Sequence, residues 1–321
     1  MGVAIGLTSA MLFGLNAVFL KIGMRSRRLD NGLFMSVLIN VLFLGAAMLF
    51  ISLPAWSWEG FVGFVLAGLM TTWLGRGTSF MAVRLLGPVR QNAILVSAPL
   101  FAAITGWLFL GESITPLQAS GGVVISVGVL VLLRSRLQHH GRAPQDERVT
   151  NTAAFSGVEA VVERPTRAPG ATRSADVTRG FIVAVLAAVF FGTGFVARKW
   201  GLSHLPSAVT GAFIGASIAL AMTIVSTSLR GRMGDLVTDN LLNIPWWFVA
   251  GGLACTVALF LQFSAFEHLP AWSVSLLQST QAVWALLFTW LFLRGEEDIG
   301  WELLISIGLI ASGLTIMSVQ L

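Results

Sequence analysis

Isolated cations and clustered carboxamides stand in otherwise apolar stretches of this chain, and they are the residues that could do chemistry. Arg76 shares a face with Trp73, Gly77 and Phe80 at helical spacing. A guanidinium in that setting could hold a carboxylate or phosphate through paired hydrogen bonds. The competing reading is an arginine that snorkels to lipid headgroups or bonds a backbone carbonyl. Gln278, Gln281 and Trp284 follow one another in steps of three, which puts two amides and an indole on one face. The amides could bond a polar solute while the indole covers its apolar part. They could equally bond a neighbouring helix, at about 0.6 kcal/mol per contact. Asn16, Asn92 and Gln262 are weaker candidates of the same kind.

Lys21 and Lys199 lie near the ends of apolar runs, as gating contacts or as a charge for a solute, with snorkelling the favoured alternative. Arg198 reads as interfacial. Glu112 and Glu296 read as local caps or partners at helix ends. None of the fifteen acidic residues falls at the middle of an apolar run. A central carboxylate that exchanges a proton for a cation is therefore missing, and a cationic interior favours an anionic or zwitterionic solute. Divalent-cation chemistry would need carboxylates as well.

Other chemistries lack their residues. His139, His140, His204 and His268 sit in loops or at the ends of runs, so no helix carries a metal-binding pair. The single cysteine, Cys255, reads as a small packing residue. No His-Glu-x-x-His, Gly-x-Ser-x-Gly or Gly-x-x-x-x-Gly-Lys motif occurs, so neither an enzyme, a metal nor a cofactor is expected.

The elements that must position these residues are membrane spans. Hydrophobic residues make up 55% of the 321 and charged residues 11%. Soluble domains carry about 25% charged residues. Ten apolar runs can be delimited, at 3–24, 32–53, 61–83, 89–110, 116–133, 180–200, 207–229, 246–266, 271–293 and 301–319. Each is long enough, or nearly so, to cross a hydrocarbon core that takes about 20 residues of helix. The runs are unbroken rather than alternating, which favours helices over a barrel. No basic residue precedes the first run, so it reads as a retained membrane helix rather than a signal peptide.

Residues 134–179 differ. They hold eight arginines, five acids and Pro144, Pro165 and Pro169, a composition expected to be a disordered linker. The linker separates two halves, 1–133 and 180–321. Phe13, Gly14, Lys21 and Gly23 match Phe191, Gly192, Lys199 and Gly201 at an offset of 178, and Phe80 and Trp107 match Phe263 and Trp290 at 183. Each half holds five runs, so the second must enter the membrane in the opposite sense. The expected architecture is an all-α integral membrane fold of ten transmembrane helices, as two inverted five-helix repeats. Small-residue pairs such as Gly2 with Gly6 and Gly211 with Gly215 would let the helices pack closely.

Basic residues are distributed unevenly over the loops. Sixteen follow the odd-numbered runs, against Arg198 and Lys199 on the other side. The positive-inside rule places the linker in the cytoplasm and both termini outside. The net charge of +5 is thus assigned to loop orientation and anionic lipid headgroups, not to nucleic acid.

The stretch from Phe80 to Leu133 resembles one repeat of the drug/metabolite transporter superfamily, EamA type. The likeness rests on Pro99, on the run Trp107-Leu-Phe-Leu-Gly111-Glu112 with Thr115 behind it, and on Gly121, Gly122 and Gly128. Phe13-Gly14-Leu15-Asn16 also looks like the family's opening, and residues 180–321 look like the second copy. Ala282 replaces Pro99 in that copy, which makes an asymmetric kink of the fourth helices an expectation. The resemblance implies secondary transport in the cell membrane, often export, of amino acids, other metabolites or toxic compounds, and termini often in the cytoplasm. A small solute and membrane lipids are the implied partners. Two complete halves in one chain allow a monomer, with a homodimer as the alternative. A drug or cation carrier of the same architecture, and a membrane scaffold or sensor that transports nothing, are the competing functions.

Overall fold

The computed structural model describes residues 1–24, 29–51, 55–86, 94–139, 174–229 and 246–292, with scattered positions at 231–238 and 305–316. Asn92, Glu296, most of the expected linker and most of the tenth run lie outside the described residues, as do the side chains of Lys21 and Arg76.

Helix is the only regular structure among the described residues. The helices are α1 (Gly2–Met24), α2 (Leu29–Met48), α3 (Trp58–Gly68), α4 (Arg76–Leu86), α5 (Ala98–Leu110), α6 (Pro116–His139), α7 (Ser174–His204), α8 (Ala208–Leu229), α9 (Trp246–His268), α10 (Ala271–Ser279) and α11 (Gln281–Phe292). A π-helical turn, Leu69–Gly75, joins α3 to α4 in one rod, and α10 and α11 follow each other as a second broken rod. Nine of the ten expected runs are therefore helical among the described residues. At the tenth, Ile310 is buried and Gly313 lies against Gly121 and Ile125 of α6. Five segments are long and apolar enough to cross a membrane: Gly2–Phe19, Thr178–His204, Ala208–Leu229, Trp246–His268 and Ala271–Phe292. The expected linker is shorter than its composition indicated, because α6 runs on to His139 and α7 begins at Ser174.

The polarity of the bundle is that of a protein solvated by hydrocarbon. Phe43, Leu100, Phe109, Phe181, Ile182 and Leu291 face outward, while Ser9, Asn40, Thr71, Ser79, Arg198 and Gln262 are buried. Polar groups are costly in lipid, so they turn inward where they can find partners. Trp107 and Trp290 are exposed toward helix ends, as anchors at the headgroup level would be.

The two halves interlock. Helix α1 packs on α9, and α7 packs on the rod of α3, the π turn and α4. Helix α1 also packs on α10 and α11, as α7 does on α5. Each half thus holds the other's first helix. The repeated Phe-Gly pair explains how. A Cβ on Gly14 would stand 2.7 Å from the Trp284 Cβ, 2.8 Å from Ala285 N and 3.0 Å from Gln281 O. A Cβ on Gly192 would stand 2.9 Å from the Phe101 Cβ, 2.7 Å from Ala102 N and 2.6 Å from Ala98 O. These are the same three atoms at the offset of 183. Only glycine lets the backbones approach so closely.

The fourth spans break alike in both halves, which overturns the expected asymmetry. The Ser97 hydroxyl donates to Ile94 O and the Thr280 hydroxyl to Leu277 O, each at 2.7 Å. Their amides donate to the same carbonyls, at 2.9 and 3.1 Å. Both residues have ψ near zero, −7° and −13°. The hydroxyl tightens the turn in both copies. Pro99 causes no difference, because it stands in the first turn of α5, where its missing N–H has no helical partner to lose.

Candidate functional site

A cavity of about 180 Å³ lies between the halves, lined by residues of both. Phe13 and Phe191, the repeated neighbours of the two crossing glycines, both line it. So do Ser36 and Asn40 of α2, Thr71 of the π turn, Arg198 of α7, Cys255, Gln262 and Phe263 of α9, and Ser275, Gln278, Ser279 and Gln281 at the α10–α11 break. Among the described lining residues Arg198 alone carries a formal charge.

Arg198 was expected at the membrane interface. It is 9% exposed and belongs to the cavity. The expected sixth run ended at 200, whereas α7 continues to His204, which carries Arg198 more than a turn inward. It therefore drops out of the loop charge count. Its Cζ lies 5.3 Å from the ring centroids of both Phe195 and Phe263. One guanidinium nitrogen donates to Gln262 Oε1 and the other to Thr71 Oγ1, the latter at 3.0 Å. Thr71 passes its own proton to Ala67 O at 2.7 Å.

The arginine orders the amides beyond it. A guanidinium only donates, so Gln262 must present its oxygen. Gln262 Nε2 then donates to Gln278 Oε1, and Gln278 Nε2 to Gln281 Oε1, both at 2.9 Å. Three amide dipoles line up with oxygens toward the cation, an arrangement that stabilises its charge. On α2, Asn40 Oδ1 accepts from Thr256 Oγ1 at 2.8 Å, and Asn40 Nδ2 reaches Cys255 Sγ at 3.5 Å.

Two charged side chains, Lys199 and Glu112, hold the turn between α9 and α10. Lys199 Nζ donates to Phe266 O at 2.7 Å and to Leu269 O at 2.6 Å, satisfying carbonyls at the end of α9. Glu112 Oε1 accepts from the Ala271 amide, the first of α10, at 2.8 Å. The cap is not local, as the sequence indicated, but spans the two halves. Burial pushes the Glu112 carboxyl above its ordinary range, against the opposing pull of the Ala271 amide and the Lys199 ammonium.

Of the residues expected to form a site, Gln262, Gln278 and Gln281 are brought together at the cavity. Trp284 is not among its lining, since its Cβ is spent against Gly14. Asn16 is buried in the α1–α9 contact, its Oδ1 beside Gly251 and without a hydrogen-bond partner. Lys199 serves the α9–α10 turn. Trp73 is 51% exposed and faces outward. The wider π turn breaks the three-to-four residue spacing on which its shared face with Arg76 depended. Arg198 and Thr71 were missed. The apolar Trp200, Gly201 and Leu202 beyond Arg198 were the available sign that the helix continues. Among the described residues no three of His, Cys, Asp and Glu come together as metal ligands would. What the cavity can do is hold a negative group against a desolvated guanidinium.

Comparison with known proteins agrees with this architecture. A solved structure described only as "Crystal structure of protein" superposes with a TM-score of 0.70 at 17% identity, covering 99% of this chain and 97% of that chain. At that identity the likeness shows the fold alone. No curated protein matches the chain. The model of the EamA-like transporter family matches residues 1–134 and again 178–319, the two halves that Gly14 and Gly192 interlock. The chain is a multi-pass membrane protein and belongs to the EamA-like transporter family.

Proposed function

We propose that the protein is a secondary transporter of a small anionic or zwitterionic metabolite, held in the central cavity by Arg198. The carrying observation is the buried guanidinium, in a cavity shared by both halves. In this reading ten spans form two inverted halves that rock about the cavity and expose it to each side in turn. Broken helices beside the site support it, as in other carriers built from inverted repeats. The volume of about 180 Å³ suits a metabolite better than a drug-sized ligand, whose pockets run to about 300–1,000 Å³. The cytoplasmic membrane is the proposed location and export the proposed direction. Arg76, the first residue of α4, is the second candidate cation.

The test is counterflow in proteoliposomes against labelled amino acids, organic acids and sugar phosphates, with Arg198→Gln and Arg76→Ala beside the parent. Uptake that falls at least tenfold in Arg198→Gln supports the site. Equal exchange by that variant removes Arg198 from it. No exchange of any solute by folded protein in both orientations favours the scaffold instead. Uptake compared between outward and inward gradients reads the direction.

A further inference from the structure

We infer that the turn between α9 and α10 is one gate of the carrier, gripped by Glu112 and Lys199 and held shut by a proton on Glu112. The inference rests on the carrier reading above and gives it a moving part.

Both gripping side chains come from one side of the cavity. Glu112 follows α5, and α7, which carries Lys199, packs on α5, α4, the π turn and α3. The turn that they grip belongs with α1, which packs on α9, α10 and α11. Lys199 donates to Phe266 O and Leu269 O, where the dipole of α9 is negative. Glu112 accepts from the Ala271 amide, where that of α10 is positive. Each element of the grip also reaches the cavity. Arg198 precedes Lys199, Phe263 lies about one turn before Phe266, and Ser275 about one turn after Ala271, and all three line the cavity. Release of the turn therefore moves the cavity wall.

The chain is shaped to seat the Glu112 carboxyl. Gly111 takes a φ of 65°, which folds Glu112 back so that its amide donates to Gly106 O at 3.2 Å. A Cβ on Gly106 would stand 2.6 Å from Glu112 Oε2, so the bare glycine makes the seat. Seated there, Oε2 is buried without a hydrogen-bond partner among the described residues. A carboxylate oxygen left so is costly. A proton removes the charge and leaves Oε1 to the Ala271 amide. Opening admits water to both oxygens and lets the proton go, so acid favours the closed gate. The upward push of burial on this carboxyl has the same sign. Of the groups around it, Lys199 on α7 pulls the other way. Glu267 and His268 at the end of α9, His204 at the end of α7 and Met1 at the start of α1 are exposed. Helices α5 and α10 carry no charge, and Lys21, Arg134, Arg136 and His139 stand at the far ends of α1 and α6.

Electron–electron double resonance in lipid nanodiscs tests this without a solute. Nitroxides at Ser203→Cys and Glu267→Cys, both exposed positions, span the gate in a Cys255→Ser background. A longer distance is expected to be at least threefold more populated at pH 8 than at pH 4.5. Glu112→Gln is expected to keep the short distance at both pH values, and Lys199→Met to raise the long one at both. A helix cap with no gating role would leave this distance unmoved. The same distribution at both pH values in the otherwise native chain overturns the inference. So does a pH response that Glu112→Gln retains, which would belong to His204 or His268. Counterflow of a solute beside an unmoved distance leaves the carrier reading standing and removes the gate.

Discussion

Thr71 accepts a hydrogen bond from Arg198 at 3.0 Å, although the two lie 127 residues apart and in different halves. The bond ties the π turn of one half to the cavity helix of the other. Thr71→Val keeps the shape and removes the acceptor. A hydrogen bond to a charged group is worth about 1.5–3 kcal/mol, so thermal unfolding in detergent should show a loss of that order. Thr78→Val is the comparison. Its hydroxyl bonds only the carbonyls of its own rod, Leu74 O and Gly75 O, and its loss should be small.

The two glycine crossings should fail together. Gly14→Ala and Gly192→Ala each force a Cβ to within 3 Å of backbone and Cβ atoms on the partner helix. Overpacking of this kind costs about 1–3 kcal/mol, and both variants should melt earlier by similar amounts. Gly77→Ala should be neutral or stabilising, because no described residue lies within 4 Å of its Cβ position and alanine is the better helix former.

The Glu112 cap predicts a pH dependence with a definite sign. Its carboxyl is raised above the ordinary 4.5, chiefly by burial. The folded protein therefore holds that proton more tightly than the unfolded chain. The contribution to stability is present in full below the ordinary value and is lost as pH rises through the raised folded one. Glu112→Gln keeps an oxygen for the Ala271 amide and sheds the charge, so it should flatten this slope and melt no lower than the parent at pH 8. Glu112→Ala removes the acceptor and should cost about 1 kcal/mol, as helix caps do.

Cys255, the single cysteine, is buried at the cavity wall beside Asn40. A small permeant maleimide should label it slowly, as followed by mass spectrometry, and abolish counterflow in proportion. A bound solute should slow the labelling several-fold. Cys255→Ser should transport and resist the reagent.

The sequence made the two-repeat frame legible, though not its interlocking, and the site only in part. Phe13-Gly14 and Phe191-Gly192 stood out because their spacing to matching lysines is conserved between halves of low complexity, and the crossings of these glycines give that spacing its cause. Gln262, Gln278 and Gln281 were legible as amides too costly to leave in lipid without a purpose. Arg198 was not, because a cation near the end of an apolar run looks like a snorkelling one until the helix is seen to continue. Trp73 was misplaced because a π turn has no simple signature in residue types, and it rotates everything after it. Ser97 and Thr280 align at the same offset as the tryptophans. Their shared role went unread because Pro99 and Ala282, close beside them, differ.

The interlocking of halves also governs how the molecule can be made. More than two hundred residues separate the end of α1 from the start of α9, the helix it packs on. A chain emerging from the ribosome must leave α1, with its bare glycine face, in the lipid until the second half has been inserted. The same holds for α3, whose partner α7 lies beyond the linker. Five-helix intermediates therefore lack most of the contacts that would protect them from quality control, and assembly is a late, concerted step rather than the docking of two finished bodies.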